Sequence, residues 1–232
     1  FLILVFYFIN IYIKKLNCIP NYKGQKHQKF SGLKTVPLTG GIFLSFSSIF
    51  LFYVYDPIFS LFILFIFILG FISDINFLSS PKLRFLIQSV LIVFSVYLLE
   101  IKIYPTKFIL LDILLENIYF KYFFSIFCLL IVINGSNFID GLNGLMLGYF
   151  SLIIFLILYL DYYIFLGMDK ILLINFIIII IYLFFLNINN KLFMGDSGSY
   201  VLGFICGYFL IKIYEGNQEI SPYFIVLLLW YP

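Results

Sequence analysis

The sequence predicts an all-α fold, a polytopic transmembrane helical bundle with about nine spans. First, 64% of the 232 residues are hydrophobic and only 11% are charged, whereas soluble domains are about half apolar and a quarter charged. Second, apolar runs long enough to cross, or nearly cross, a hydrocarbon layer of about 30 Å recur along the chain. Third, the polar residues gather in the connections between these runs. The bilayer must therefore be the solvent, because no soluble fold of this length could bury so much apolar surface.

The spans are expected to be helices, since an open chain in lipid must satisfy its backbone polar groups within each segment. The predicted spans are 38–55, 57–72, 83–99, 118–133, 145–161, 171–186 and 198–214, with partial spans at 1–13 and 222–232. No long polar linker divides them, so residues 1–232 form one integral-membrane domain. The two outer runs are short, and we expect the sequence to be truncated at both ends.

Eight connections between nine spans must alternate between the two sides of the membrane. The first-set loops are 14–37, 73–82, 134–144 and 187–197, and the second-set loops are 56, 100–117, 162–170 and 215–221. Nine of the 14 basic residues belong to the first set and five to the second. The positive-inside rule therefore predicts that the first-set loops face the cytoplasm.

Three of the 11 acidic residues lie in first-set loops, each in a different one: Asp74, Asp140 and Asp196. Each stands at or beside a predicted helix end, among small or polar residues. Carboxylates at membrane depth are costly and usually have a partner or a function. Three of them on one face indicate a divalent cation, for which Mg²⁺ suits hard oxygen ligands and Mn²⁺ is an alternative.

Two first-set loops carry polar strings that simple turns do not fully explain. Loop 134–144 has three Asn, three Gly and one Asp but no basic residue. It is either an interhelical turn or a ligand pocket in which Gly allows a backbone to approach phosphate. In string 191–199, Asp196 and Ser197 could simply cap the following helix. In that helix, the spacing of Gly203 and Gly207 predicts close packing against a neighbour.

Basic residues in the first-set loops are candidate anion contacts. Lys82 and Arg84 are either topology anchors or phosphate ligands. The first loop holds six lysines and the only histidine, His27. Such a loop attracts anionic headgroups, and it would attract a lipid phosphate or a nucleotide equally. A lone loop histidine is usually just solvated, but His27 is kept as a candidate substrate-binding residue.

Four strings, in order along the chain, match one family of membrane enzymes. They are Pro37–Gly41, Gly70–Gln88, Asn134–Leu145 and Phe193–Ser199. Together they resemble the polyprenyl-phosphate N-acetylhexosamine-1-phosphate transferases of bacterial glycosyltransferase family 4, kin of phospho-N-acetylmuramoyl-pentapeptide transferase. The resemblance implies transfer of a sugar 1-phosphate from a UDP-sugar to undecaprenyl phosphate, with release of UMP and a need for Mg²⁺. It further implies the bacterial inner membrane, a cytoplasmic active site and the first membrane step of a cell-envelope glycan pathway.

The resemblance also assigns roles to individual residues. Asp140 aligns with the metal-binding Asp of the family's Asn-x-x-Asp-Gly motif, and Asp196 with the Asp of its Met-Gly-Asp motif. These two are the implied metal ligands, and with Asp74 they form the implied catalytic set. The implied substrate-binding residues are Lys82, Arg84, Asn134, Asn137, Phe138 and His27.

The chain departs from the family pattern at two positions. Ser73 precedes Asp74 where the family usually has a second acid, and Asn143 replaces the second Asp of Asp-Gly-x-Asp-Gly. An inactive homologue is therefore one alternative. A transporter is another, although it would place carboxylates in mid-helix. The expected partners are a UDP-sugar, undecaprenyl phosphate and membrane lipids, with no nucleic acid; a homodimer is left open.

Overall fold

The structure is a computed structural model that describes residues 21–22 and 36–223. Two short strands, β1 (Asn21–Tyr22) and β2 (Val36–Pro37), pair antiparallel with Asn21 opposite Pro37. The remaining elements in these ranges are helices. They are α1 (Gly40–Tyr53), α2 (Pro57–Asp74), α3 (Pro81–Leu98), α4 (Ile109–Leu115), α5 (Ile118–Ile139), α6 (Leu145–Tyr159), a 3₁₀ helix (Tyr162–Leu166), α7 (Lys170–Ile188) and α8 (Gly195–Gly216).

The all-α membrane fold is confirmed. Among the described residues, five helices are long and apolar enough to cross a membrane: α2, α3, α5, α7 and α8. Helices α1 and α6 are apolar but shorter. All seven coincide with predicted spans, and the partial spans at 1–13 and 222–232 lie outside the described residues except for 222–223.

Helix α8 forms the centre of the bundle. In its apolar 18-residue stretch 94% of the residues are buried, against 22% in that of α3. It packs against α1, α2 and α5. Its glycines make this possible: a Cβ at Gly203 would lie 3.0 Å from the Ile133 Cα, and a Cβ at Gly207 would lie 2.9 Å from a Leu129 methyl carbon. The packing interpretation of these two glycines is confirmed, because small residues let helix backbones approach closely.

Several predicted helix ends were wrong, among them the ends of α5 and α2 and the start of α8, which begins at Gly195 and not at 198. Helix α5 continues to Ile139, so residues 134–139 are helical and not part of a loop, and α2 continues to Asp74. The reason is that the polar side chains in these last turns have partners inside the bundle. The Ser136 hydroxyl, for example, donates to the Ser199 carbonyl of α8 at 2.9 Å. A helix need not stop where its apolar run stops when neighbouring helices satisfy its polar groups.

The two sets of loops lie at opposite ends of the bundle. At the second-set end, the Tyr55 hydroxyl donates to the Leu166 carbonyl and the Tyr214 hydroxyl to the Pro105 carbonyl, each at 2.5 Å. Helix α4 and the 3₁₀ helix, which the sequence did not predict, lie there too. An apolar cavity of about 260 Å³ opens at this end, beside Phe108 and Tyr214. The three first-set acids, Asp74, Asp140 and Asp196, lie together at the first-set end, which is called the site face below.

Candidate active site

The three first-set acids meet at the N-terminus of α8. Asp140 Oδ2 accepts the Gly195 amide at 3.1 Å. The two oxygens of Asp74 accept the next two amides, Asp196 N–H at 2.8 Å and Ser197 N–H at 3.1 Å. These amides have no partner within their own helix, and they form its positive end. The helix is thus capped by carboxylates from α2 and from the end of α5, and the alternative in which Asp196 and Ser197 serve as its cap was wrong.

Glycines allow the surrounding elements to approach this helix end. Gly195 has a φ of +71°, a conformation that L side chains rarely adopt. A Cβ at Gly70 of α2 would lie 2.5 Å from the Ser197 Cα, and a Cβ at Gly41 of α1 would lie 2.5 Å from the Met194 carbonyl oxygen. Gly41 and Gly70 belong to two of the four family-like strings. Both allow close packing against a third string, Phe193–Ser199.

Gly70→Ala is expected to destabilise the protein by about 1–3 kcal/mol, the usual cost of an added methyl group in a tightly packed contact. The new Cβ would meet the backbone of Ser197, which cannot rotate away. Thermal unfolding of the purified protein in detergent measures the effect. Gly148→Ala is the control, because its Cβ would lie 3.1 Å from the ring of Phe184, a side chain that can shift. Equal unfolding temperatures for the two variants would contradict the close approach of α2 to α8.

The Asp196 carboxylate faces a basic residue from α3. Arg84 Nη1 lies 2.6 Å from Asp196 Oδ2 and 2.6 Å from the Ser73 hydroxyl oxygen. The Ser73 hydroxyl in turn donates to the same Asp196 oxygen. The Tyr200 hydroxyl lies 3.5 Å from that oxygen. Ser73 stands where the family usually has an acid. Here its hydroxyl bonds both the Asp196 carboxylate and the Arg84 guanidinium.

Asp140 is the most deeply buried of the three acids, with 5% of its surface exposed. Burial raises the pKa of Asp140 well above its usual range; the Gly195 amide lowers it, and the charges of Asp74 and Asp196 raise it further. No ion pair to Asp140 forms within residues 36–223. A buried carboxylate beside two others would be stabilised by a bound cation.

The donor chemistry of the site suits Mg²⁺, but the three carboxylates do not form a cage. Among the described residues, no three His, Cys, Asp or Glu side chains are arranged to hold a metal ion. Both oxygens of Asp74 accept backbone amides, which commits this residue to the cap. Mg²⁺ usually binds one or two carboxylates and completes its shell with water and substrate phosphates. Asp140 and Asp196 would supply such carboxylates, although Oδ2 of Asp196 already accepts from Arg84 and Ser73.

The remaining predicted site residues divide into two groups. Asn137 and Asn134 lie inside the bundle: Asn137 Oδ1 accepts the Ser199 hydroxyl at 3.0 Å, and Asn134 Nδ2 donates to Gln88 Oε1 at 3.0 Å. Lys82 and Phe138 lie on the exposed rim of the site face, and Phe138 is 85% exposed although it is aromatic. His27 lies outside the described residues.

Two buried amides in apolar helices were given no role by the sequence analysis, although Gln88 ends one of the family-like strings. Asn187, near the end of α7, accepts the Gly144 amide at 2.6 Å and donates to the Leu192 carbonyl at 3.1 Å, so it joins two of the polar loops. Gln88 of α3 bonds Asn134 of α5. In addition, Asn143 donates to Asn190, which ties together the same two loops. The available signal was a polar amide side chain in or at the end of an apolar run.

Comparison with known proteins identifies the family to which this chain belongs. The model of glycosyl transferase family 4 matches residues 57–214, and the chain belongs to this family. It is 31% identical over 223 residues to undecaprenyl-phosphate alpha-N-acetylglucosaminyl 1-phosphate transferase from Salmonella typhi, and equally so to the protein of that name from Salmonella typhimurium strain LT2. The match covers 91% of the chain and 58% of each relative's length. No solved structure matches the chain.

Proposed function

We propose that the protein transfers a sugar 1-phosphate, of the N-acetylhexosamine type, from a UDP-sugar to undecaprenyl phosphate and releases UMP. One observation carries the proposal: the family-like strings converge on the N-terminus of α8, through contacts between residues 55 to 123 positions apart in the sequence. They bring three carboxylates and Arg84 together at one end of a membrane bundle. Phosphoryl transfer asks of a protein mostly positioning and charge neutralisation, which such a cluster supplies.

Each residue then has a role in binding or positioning. Arg84 and Lys82 would bind substrate phosphates, and Asn137 and Phe138 would contribute to the nucleotide pocket. Asp140 and Asp196 would hold Mg²⁺, with Mn²⁺ as a substitute, and a bound divalent ion polarises a phosphoryl oxygen and stabilises charge on the leaving UMP. Asp74 positions Asp196 through its backbone amide.

Ser73 is compatible with this reaction. A phosphate monoester has a second pKa of about 6, so a lipid phosphate is already largely ionised at neutral pH. The acceptor then needs no strong base to become a nucleophile. Ser73 would serve to hold Arg84 and Asp196 in place, as its two hydrogen bonds indicate.

The proposal is tested by adding a UDP-N-acetylhexosamine, undecaprenyl phosphate and Mg²⁺ to the purified protein. We expect UMP and a lipid-linked sugar diphosphate in equal amounts, none without a divalent ion, and reversal of the reaction on addition of UMP. UMP release that does not depend on the lipid would contradict the proposal. A transporter would accumulate a solute in sealed vesicles without UMP release, and an inactive homologue would release none.

The site face is expected to lie in the cytoplasm, at the inner membrane, because the first-set loops carry most of the basic residues. In a variant without native cysteines, single cysteines at the exposed positions Lys82 and Asn143 should resist a membrane-impermeant thiol reagent in intact cells. Cysteines at Glu116 and Asn117, exposed at the opposite end, should react. The reverse pattern would overturn the orientation.

A further inference from the structure

Gln88 carries a buried hydrogen-bond donor that has no partner in the part of the chain that the structure describes. The residue is 2% exposed on α3, and its Oε1 accepts from Asn134 Nδ2 at 3.0 Å. Its Nε2 is inaccessible to solvent and bonds no group among the described residues. Native proteins seldom leave a buried polar group unpaired, and when they do the group often has a functional partner.

The orientation of the Gln88 amide follows from its neighbours. Asn134 Nδ2 donates both to Gln88 Oε1 and to the Leu130 carbonyl, the latter at 2.8 Å. A backbone carbonyl can only accept, so the donor end of Asn134 must face it. Gln88 must then present its oxygen to Asn134, and Nε2 is left on the far side of the amide.

The unpaired donor lies beside the anion-binding part of the site. Gln88 follows Arg84 by one helical turn and shares its helix face. The Nε of Arg84 is likewise buried without a partner among the described residues, while its Nη1 contacts Asp196 and Ser73. Two unsatisfied donors, one of them cationic, thus stand one turn apart, an arrangement that suits the oxygens of a phosphate.

The depth of this pair indicates which substrate it meets. Gln88 is seven residues beyond the start of α3, about 10 Å along the helix axis. Helix α3 is the most lipid-exposed of the five long spans, since only 22% of the residues in its apolar 18-residue stretch are buried, the lowest share of the five. Solvent does not reach the amide, and Gln88 bonds Asn134 of α5, so a lateral route to it would run between α3 and α5. A phosphate attached to a lipid can approach by that lateral route.

We infer that Gln88 is a substrate-binding residue whose Nε2 donates to a substrate phosphate oxygen, next to Arg84, and that this phosphate is that of the lipid acceptor. The inference rests on the proposed function. The diphosphate of the sugar nucleotide offers the same chemistry, and the two sources are separated by measuring the KM of each substrate.

The first test is Gln88→Glu, which keeps the shape of the side chain and replaces the donor by an oxygen. We expect the KM for undecaprenyl phosphate to rise about 10- to 100-fold, as for the loss of one hydrogen bond to a charged group. The KM for the UDP-sugar should change less than about twofold, which is well below the effect of losing one such bond. The control is Ser95→Ala, which also removes a buried polar group from α3 but one that bonds only the Ile92 carbonyl of its own helix.

Asn134→Asp tests the orientation without touching Gln88. A carboxylate at position 134 can only accept, so Gln88 would turn its Nε2 toward it and present Oε1 to the substrate. The lipid KM should then rise as in Gln88→Glu. An unchanged lipid KM in both variants, or a fall in kcat with both KM values unchanged, would overturn the inference.

Direct binding separates this inference from the proposed function. Undecaprenyl phosphate alone is titrated into wild-type and Gln88→Glu protein in nanodiscs, and the ratio of the dissociation constants is measured. If wild-type protein binds the lipid about tenfold more tightly than the variant, the Gln88 contact is supported. This holds even if no transfer occurs, a result that would contradict only the proposed function. A raised KM for the UDP-sugar alone would overturn the assignment to the lipid. No lipid binding by wild-type protein would overturn the inference outright.

Discussion

Asp140→Asn is expected to lower the rate of transfer by about 10²–10³-fold, the usual cost of removing one group that organises transition-state charge. The substitution keeps the volume of the side chain and an oxygen that can accept the Gly195 amide. It removes the negative charge that would hold Mg²⁺. The protein should therefore insert and fold, and its residual activity should need more Mg²⁺.

The measurement is UMP release as a function of Mg²⁺ concentration, together with thermal unfolding. The matched control is Asp112→Asn. Asp112 lies at the opposite end of the bundle and accepts the Thr106 amide at 2.5 Å and the Thr106 hydroxyl at 2.9 Å. A near-normal rate for Asp140→Asn at saturating Mg²⁺ would remove Asp140 from the metal site.

Asp74→Asn is expected to impair both stability and transfer. The Asp74 carboxylate accepts two consecutive amides of α8, at 2.8 and 3.1 Å. An asparagine offers one oxygen and one NH₂ group, so one amide would face a donor and lose its partner. The loss of a buried hydrogen bond costs about 1–3 kcal/mol. The activation free energy of transfer should rise by more than the free energy of unfolding falls, because the same turn of α8 carries Asp196.

Asp56→Asn makes a close control for that variant. Asp56 also accepts two consecutive amides, those of Ile58 at 2.8 Å and Phe59 at 3.2 Å, but at the first turn of α2 on the opposite end of the bundle. Asn is as good as Asp at a solvent-exposed helix start. We expect an unchanged transfer rate and a small change in unfolding temperature. If Asp74→Asn behaved like Asp56→Asn, the cap of α8 would have no part in activity.

The helices were predictable because their signal is local. Each span is a continuous apolar run, and lipid leaves such a run few alternatives to a helix. The convergence of Asp74, Asp140 and Asp196 was also predictable, since spans that alternate in direction return every second loop to the same face. Helix ends were less predictable: Asn134 and Ser136 look like loop residues, and only their partners on α3 and α8 keep them in a helix.

The roles within the cluster could not be predicted from residue types. Asp74 and Asp196 have the same carboxylate, yet one caps α8 and the other pairs with Arg84. Ser73 was expected only as a missing acid, and its bonds to Arg84 and Asp196 depend on the distance between α2 and α3. Gln88 gave no periodic signal within its apolar run, because its importance lies in its Nε2, which stays unpaired among the described residues.

The sequence by itself thus determined the membrane fold, the spans and the family, because composition, run length and short motifs are properties of the chain read in order. Only the tertiary structure decided which acid caps α8, which acid pairs with Arg84 and which buried amide keeps a donor unpaired among the described residues. Those outcomes depend on distances of a few ångströms between residues such as Asp74 and Ser197, 123 positions apart. Hydrogen bonds weaken steeply with distance and angle, so such pairings become definite only when the helices have packed.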